Sequence, residues 1–360
     1  MREDLYVVLM AGGVGVRFWP YSRNAKPKQF LDVLGTGKTL LQMTYDRFAS
    51  VCSKENIFVV THEEHASIVS DQLPDLKPNQ IVREPTRRNT AACIGYAMHK
   101  INLLNKNAVV VVSPSDHLIL KEKEFCDTIL AAAEEAKGQD KLITLGITPT
   151  RPETGYGYIQ YIKKNKIPIQ KVKTFTEKPE ITLAKKFIES GDFVWNSGIF
   201  IWGIKAILEA LHTHMPEMSE VFEEHIDAFN TEREDSVIER IYQQLKNVSI
   251  DYGVMEKANN VYVCLGDFTW SDLGSWGSIH EISQKDEHNN SVKGRVLTYD
   301  TNNSVVRSVS KDKLVVVQGL DGYLVGDFGN VLIVCEKDRE DYFRIFVNDV
   351  RGMQGGGEFL

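Results

Sequence analysis

The stretch LMAGGVGVRFWPYSRNAKPKQF, close to the amino terminus, combines residue types that together can bind phosphate. Gly12, Gly13 and Gly15 follow a short apolar run, where a turn between a strand and a helix presents backbone N–H groups to an anion. Glycine lets the backbone come close to phosphate oxygens. Arg17 and Lys28 add two cations to the same loop. Two fixed positive charges beside a glycine turn suit a triphosphate whose pyrophosphate must leave.

Two other phosphate-binding motifs fit this region less well. A dinucleotide-binding G-x-G-x-x-G motif needs a third glycine where this chain has Phe18, and no acidic residue ends a second strand about twenty residues further on. In DVLGTGKTLL, Gly37, Lys38 and Thr39 match the end of a P-loop motif. The first position of the motif is Asp32, however, where glycine is required. The residues alone leave one alternative open, in which Arg17 and Lys28 are solvated charges on an ordinary loop.

The elements around this loop predict an α/β fold. The runs LYVVLM, NIFVVT, AVVVVSPSD and KLITLGI are short and rich in Val and Ile, which indicates strands buried on both faces. Between them, EEHASIVSDQL, NTAACIGYAMHKINLL and EFCDTILAAAEEAK repeat apolar residues every three or four positions, as amphipathic helices do. This alternation predicts a doubly wound, Rossmann-like domain, whose ligands bind beyond the carboxyl ends of the strands.

The pattern changes twice further along the chain. After Pro149, GYGYIQYI and VKTFTEKP indicate antiparallel strands, so we expect a mixed sheet. From about residue 285 the chain is rich in β-branched residues, separated by Asn-Asn, Asp-Gly and Gly-Asn turn signals. We therefore predict an α/β domain over residues 1–284 and a small all-β domain, a short β-helix or meander, over residues 285–360. The closing residues GGGEFL are expected to be flexible.

Composition and charge argue against several classes of protein. Lys and Arg number 42 against 49 Asp and Glu, a net charge of −7, whereas a general nucleic-acid or anionic-membrane surface needs a basic face. The five cysteines form no C-x-x-C pair, so zinc and thioredoxin-like sites have no support. No apolar stretch approaches membrane-spanning length. We expect a cytoplasmic protein with neither a nucleic-acid nor a membrane partner.

The opening stretch also matches a known signature, G-G-x-G-x-R-x-x-P-x-S-x-x-x-x-P-K, at every defined position. The matching residues are Gly12, Gly13, Gly15, Arg17, Pro20, Ser22, Pro27 and Lys28. The chain thereby resembles the sugar-1-phosphate nucleotidyltransferases, and its Phe-Trp-Pro and Pro-Lys-Gln-Phe details are similar to the mannose-1-phosphate guanylyltransferase branch. The resemblance implies transfer of GMP from GTP to mannose 1-phosphate, with Mg²⁺ as cofactor and displacement in line at the α-phosphorus. It also implies catalytic roles for Arg17, Lys28 and Asp116.

Later motifs supply the nucleotide and metal residues that the resemblance implies. REPTRRNTAACIGYA resembles the E-P-x-x-R-N-T-A motif that borders guanine, and VVVVSPSDHLI resembles the P-S-D-H motif. Asp116 alone could merely cap a turn, but the resemblance makes it a Mg²⁺ ligand, with Asp272 of DFTWSDLGSW as the second carboxylate. His117 is expected to be structural. The predicted nucleotide-binding residues are Ala11, Gly12, Gly13, Gly15, Asn89, Thr90 and Ser115.

PETGYGYIQY, TFTEKP and FVWNSGIFIW resemble the sugar-side motifs of the same family. They imply that Gly157 leaves room for the sugar and that Glu177 accepts hydrogen bonds from the sugar hydroxyls. They also imply that Lys178 forms an ion pair with the sugar phosphate. Asn196 interrupts an apolar run, so its side chain either makes hydrogen bonds within the core or binds a sugar hydroxyl. The resemblance favours binding of a sugar hydroxyl. For Asp251 two interpretations stay open: support of the sugar pocket, or a structural role.

Three alternatives to this function remain. The same chemistry could serve another sugar 1-phosphate or another nucleotide, because pocket shape decides specificity. A non-catalytic nucleotide-sugar sensor could use the same fold, and a P-loop kinase or NTPase would hydrolyse nucleotide without any sugar phosphate. The β-rich tail is too short for the isomerase domain that some longer relatives carry, so no isomerase activity is expected. An exposed β-rich tail also favours pairing into a homodimer.

Overall fold

A computed structural model describes residues 2–164 and 168–360 of the chain. The contacts divide the chain into two compact units. The first unit comprises Met1–Gly12, Gln42–Ser115 and Ile119–Trp270, and the second comprises Gly13–Leu41, Asp116–Leu118 and Ser271–Leu360. The predicted boundary between residues 284 and 285 stays a prediction.

The described residues form strands in both units. In chain order these strands are β1 (Leu5–Met10), β2 (Ile57–His62), β3 (Ile81–Glu84), β4 (Val109–Pro114), β5 (Leu118–Ile119), β6 (Leu142–Ile147), β7 (Tyr158–Tyr161), β8 (Ile169–Thr176), β9 (Phe193–Gly203), β10 (Val261–Leu265), β11 (Trp270–Ser271), β12 (Ser291–Lys293), β13 (Val296–Tyr299), β14 (Val305–Ser308), β15 (Val315–Gln318), β16 (Tyr323–Phe328) and β17 (Val331–Glu336).

Helices alternate with these strands. The α-helices are α1 (Leu40–Ala49), α2 (Ala66–Gln72), α3 (Asn89–Leu104), α4 (Glu122–Ala136), α5 (Ile181–Ser190), α6 (Ile204–His214), α7 (Pro216–Glu223), α8 (Glu234–Gln244), α9 (Trp276–Ile282) and α10 (Glu340–Gly352). A π-helix spans Asp251–Met255, and the short 3-10 helices include Val16–Phe18, Lys28–Phe30 and Gly356–Phe359. No helix among the described residues is both long and apolar enough to span a membrane.

The first unit is built on a mixed sheet of nine strands in the order β3-β2-β1-β4-β9-β6-β10-β8-β7. β1 pairs in parallel with β2 and with β4, whereas β9 runs antiparallel to β4 and β6. The apolar runs form strands because nearly every residue of β1, β2 and β4 is buried. The prediction of a Rossmann-like mixed sheet is therefore confirmed. Because β1, β3 and β4 are parallel neighbours or near neighbours, their carboxyl ends lie along one edge of the sheet.

The second unit contains the β-rich part of the chain. β12, β14 and β16 pair in parallel, β17 pairs antiparallel with β16, and β13 pairs in parallel with β15. Parallel pairing of successive short strands is the arrangement of a β-helix, which agrees with the predicted β-helix-like fold. The sequence analysis did not predict α10, and the residues expected to be flexible include the short helix Gly356–Phe359.

Candidate active site

In the second unit, the glycine-rich loop of residues 13–30 folds around a glycine that no other residue can replace easily. Gly15 has a φ of 68°, in the left-handed region. A side chain there would also place its Cβ 2.8 Å from the Cβ of Lys28. The hydroxyl of Ser22 donates to the carbonyl of Val14 at 2.5 Å, which closes the loop. Immediately after Gly15, the helix Val16–Phe18 carries the half-buried Arg17.

Lys28 is a buried cation rather than a solvated loop charge. Only 4 % of the residue is exposed. Its Nζ lies 2.8 Å from Oδ2 of Asp116 and donates to the backbone carbonyl of Asp272 at 2.8 Å. The carbonyl of Leu273 lies 3.3 Å from the same ammonium. The fold therefore brings together three residues that the sequence analysis assigned to catalysis or metal binding: Lys28, Asp116 and Asp272.

The surroundings of Asp116 keep its side chain ionised. Burial alone would raise the pKa of this carboxyl group, but the Lys28 ammonium, the neighbouring His117 ring and the Lys28 hydrogen bond together lower the pKa below its usual value. Nε2 of His117 lies 3.8 Å from Oδ1 of Asp116, so His117 contributes electrostatically. The Asp116 side chain remains 30 % exposed, which leaves the carboxylate open to a ligand.

The carboxylates in this part of the second unit are of the kind that bind a divalent cation. Mg²⁺ is usually bound through one or two carboxylates, with substrate phosphates and waters as its other ligands. Asp116 supplies an ionised carboxylate, and Oδ1 of Asp272 accepts the N–H of Gly274 at 2.9 Å. Within the described residues no group of three or more His, Cys, Asp or Glu side chains could hold a metal alone. A metal here would therefore depend on ligands from a substrate.

In the first unit, three of the predicted nucleotide-binding residues, Ala11, Gly12 and Ser115, lie where β1 and β4 end. The N–H of Ala11 donates to the carbonyl of Val60 at 2.8 Å, and Gly12 follows directly. Ser115 is fully buried, and its N–H and hydroxyl both donate to the carbonyl of Met10, at 3.1 and 2.9 Å. The Ser115 hydroxyl thus ties the ends of the two strands together.

Asn89 and Thr90 lie in the first turn of α3. Asn89 adopts a left-handed φ of 66°, and its Oδ1 accepts the N–H of Thr90 at 2.9 Å. Oγ1 of Thr90 accepts the N–H of Ile250 at 2.9 Å. Asn89 itself is exposed and Thr90 is half-buried. This turn is therefore held in one conformation while its surface stays accessible.

Glu84 is a residue that the sequence analysis missed. It ends β3, is 5 % exposed, and its Oε1 accepts the hydroxyl of Tyr242 at 3.0 Å. Oε2 lies 3.7 Å from the point where a side chain on Gly12 would begin. Burial raises the pKa of Glu84 to about 7, against the opposing effects of the Tyr242 hydrogen bond and the Arg87 charge. The only sequence signal was an acidic residue ending a strand within the guanine-side motif.

The predicted sugar-side residues also lie together in the first unit. The N–H of Asn196 donates to the carbonyl of Gly157 at 2.8 Å. A Cβ on Gly157 would lie 3.1 Å from Oε2 of Glu177, so a side chain there would make that carboxylate shift. Lys178 has a left-handed φ of 45° and is exposed, with Nζ 3.4 Å from Oε2 of Glu177. Two carboxylate oxygens, one amide and one ammonium thus share this region.

Asp251 belongs to the same group of polar side chains. It begins the π-helix Asp251–Met255, and its Oδ1 accepts the Asn196 amide N–H at 2.8 Å. Burial and the nearby charge of Glu177 raise the pKa of Asp251 to about 6, although the Asn196 hydrogen bond opposes the shift. This contact fits both interpretations left open by the sequence, so the role of Asp251 stays a prediction.

Comparisons with known proteins identify the family of the chain. Residues 6–289 match the model of the nucleotidyl transferase family. A protein of Escherichia coli named mannose-1-phosphate guanylyltransferase is 35 % identical over 350 residues, which are 94 % of this chain and 74 % of that protein.

Two solved structures are similar as well. One, from Thermus thermophilus and titled a mannose-1-phosphate geranyltransferase, has a TM-score of 0.86 at 31 % identity and covers 97 % of this chain and 99 % of that chain. The other, titled mannose-6-phosphate isomerase from Helicobacter pylori, has a TM-score of 0.61 at 26 % identity and covers 74 % of this chain and 99 % of that chain. With its signature loop, its mixed sheet and a family match over most of its length, the chain belongs to the nucleotidyl transferase family.

Proposed function

We propose that this protein transfers GMP from GTP to mannose 1-phosphate, releasing pyrophosphate and forming GDP-mannose. The observation that carries the proposal is the buried Lys28 ammonium beside the ionised Asp116 in a nucleotidyl transferase signature loop. The name of the Escherichia coli relative supports the choice of GTP and mannose 1-phosphate.

The proposed reaction is an in-line displacement at the α-phosphorus of GTP. A phosphate oxygen of mannose 1-phosphate forms the new P–O bond, the α,β-bridging P–O bond breaks, and its electron pair leaves with pyrophosphate. The attacking phosphate is already ionised at neutral pH, so no general base is required. The protein therefore works by positioning the reactants and neutralising their charge.

Several side chains are suited to parts of this task. In the second unit, Arg17 and the loop amides of Gly13 and Gly15 stabilise the charge of the departing pyrophosphate, and Lys28 offsets the charge at the reacting phosphates. In the first unit, Lys178 binds the sugar phosphate. Asp116 and Asp272 would hold Mg²⁺, which when bound supplies further positive charge to the phosphates.

Glu84 is suited to selecting guanine at the nucleotide-binding edge of the first unit. Guanine carries two adjacent donors, N1–H and the 2-amino group, and a carboxylate accepts from both. Adenine presents an unprotonated N1 at the same place, which a carboxylate repels. The buried carboxylate at the end of β3, next to Gly12, therefore favours GTP over ATP.

On the sugar side, Glu177 and Asn196 lie next to Gly157 and Asp251 accepts the Asn196 amide, so the three side chains offer polar groups suited to the hydroxyls of mannose. We further propose that the protein acts in the cytoplasm on small molecules, without nucleic-acid or membrane partners, and that it pairs as a homodimer. The net charge of −7 supports the absence of a nucleic-acid partner.

Pyrophosphate release in the presence of Mg²⁺ tests the proposal, with each of four nucleoside triphosphates paired with mannose 1-phosphate or glucose 1-phosphate. Release that needs both GTP and mannose 1-phosphate is the expected result. Release with another pair would keep the chemistry and change the substrate. Release from nucleotide alone would indicate a hydrolase, and no release would favour a sensor. A parallel assay for isomerisation of mannose 6-phosphate checks the expectation of no isomerase activity.

A further inference from the structure

The glycine-rich loop of residues 13–30, which is the proposed phosphate-binding loop, packs with residues 271–360. Residues Gly13–Leu41 share the second unit with Ser271–Leu360, whereas β1, the strand that precedes the loop in sequence, belongs to the first unit. The helix Val16–Phe18, which carries Arg17, packs against α10. The helix that carries Arg17 is therefore packed against an element that lies more than 300 residues further along the chain.

Two polar side chains of the loop are anchored on backbone carbonyls near the carboxyl terminus. Nε1 of Trp19 donates to the carbonyl of Phe359 at 2.7 Å, and Trp19 is only 8 % exposed. The guanidinium of Arg23 donates to the carbonyl of Phe328 at 2.9 Å and to that of Glu358 at 3.4 Å. Its third contact, to the carbonyl of Pro20 at 3.0 Å, returns to the loop. Arg23 thus links the loop to β16 and to the short helix Gly356–Phe359.

Aromatic packing reinforces these hydrogen bonds. The ring of Tyr21 stacks on Phe328 with centroids 5.0 Å apart, and Trp276 lies 5.6 Å from Phe328. The ring centroids of Phe18 and Trp276 are 5.3 Å apart, and both residues are 1 % exposed. Burial of this much aromatic surface favours one arrangement of the loop over its many alternatives.

A glycine-rich loop loses much conformational entropy when it becomes ordered. If the loop were ordered only on substrate binding, that cost would reduce affinity or misplace Arg17 and Lys28. We propose that residues 355–360 are a positioning element for the phosphate-binding loop: by holding Trp19 and Arg23, they keep Arg17 and Lys28 in place before substrate arrives. The effect on catalysis rests on the proposed function, whereas the effect on the loop does not.

Two variants of the protein test this role. Deletion of residues 355–360 removes the carbonyl acceptors of Glu358 and Phe359, and Trp19→Phe removes the indole donor while keeping an aromatic ring. Trp202→Phe is the matched control, because the Trp202 indole N–H is buried in the first unit and has no acceptor among residues 2–164 and 168–360. Arg23→Gln provides a further variant if the deletion does not fold.

The first readout is hydrogen exchange of the backbone amides, which needs no substrate. Exchange over residues 13–30 should become faster in the deletion and in Trp19→Phe, while β1, β2 and β4 keep their rates and Trp202→Phe leaves the loop unchanged. The second readout is pyrophosphate release, for which kcat/KM should fall about tenfold in each variant. Combining the deletion with Trp19→Phe should lower kcat/KM by less than the product of the two single effects. Each change removes the same hydrogen bond, from Trp19 to the carbonyl of Phe359.

The two readouts separate failure of this proposal from failure of the proposed function. Unchanged exchange over residues 13–30 in every folded variant overturns the positioning role, whatever the activity. An inactive wild-type protein whose loop exchange still responds to the deletion would overturn the function and keep the positioning role.

Discussion

Replacing Glu84 by glutamine tests how the protein selects its nucleotide. The substitution keeps the size of the side chain and an oxygen that can accept the Tyr242 hydroxyl, but it removes the negative charge. Hydrogen bonds to a charged group contribute about 1.5–3 kcal/mol each, roughly 10- to 150-fold in binding. We expect Glu84→Gln to lower kcat/KM for GTP by such a factor. Wild type should likewise prefer GTP to ITP, which lacks the 2-amino group, and the variant should lose most of that preference.

The raised pKa of Glu84 also predicts a pH dependence with a definite sign. With a pKa of about 7, only about a tenth of the free protein carries the carboxylate at pH 6, and nearly all of it does so at pH 8. If GTP binding needs the carboxylate, kcat/KM should rise about tenfold between pH 6 and pH 8. The substrate phosphates titrate in the same pH range. Dividing the wild-type values of kcat/KM by those of Glu84→Gln at each pH cancels the contribution of these phosphates.

Stability provides the control for this experiment. The folded-state pKa of Glu84 lies above its ordinary value of 4.5, so the native state holds the proton more tightly and loses stability as pH rises from about 4.5 through 7. The uncharged variant should therefore melt at or above the wild-type temperature at pH 8, although it is less active. A Glu84→Gln protein with the wild-type preference for GTP over ITP and an unchanged pH profile would refute the assignment.

Other substitutions test the remaining groups of the site. Asp116→Asn should lower kcat/KM for pyrophosphate release about a hundredfold or more, because it removes an electrostatic group worth about 2.7–4 kcal/mol in other enzymes; steady-state rates near wild type would contradict its role. Gly15→Ala should lower the melting temperature clearly more than Gly13→Ala, because a Cβ at Gly15 meets an atom at 2.8 Å and one at Gly13 meets none within 4 Å; equal melting shifts would count against the loop geometry. Asn196→Ala should raise KM for mannose 1-phosphate about tenfold and leave KM for GTP within about twofold; a parallel rise in both would argue for a general structural role.

The sequence by itself determined the fold class and the family. Buried strands and amphipathic helices carry their own local patterns, so LYVVLM, NIFVVT and AVVVVSPSD identify β1, β2 and β4 without any knowledge of the tertiary structure. The signature residues are recognisable because turns and loops depend on residue type at fixed spacing. Gly15 shows why, since its left-handed φ and its contact with Lys28 both exclude a side chain.

Long-range contacts were decided only by the tertiary structure. Glu84 and Tyr242 are 158 positions apart, and Trp19 and Phe359 are 340 apart, so no local pattern announces either pair. The perturbed pKa values of Glu84 and Asp251 likewise arise from burial and from neighbouring charges that lie far away in sequence. Residue type and spacing therefore identify which groups can do the chemistry, whereas only the packed fold determines which of them are buried, charged and held in place.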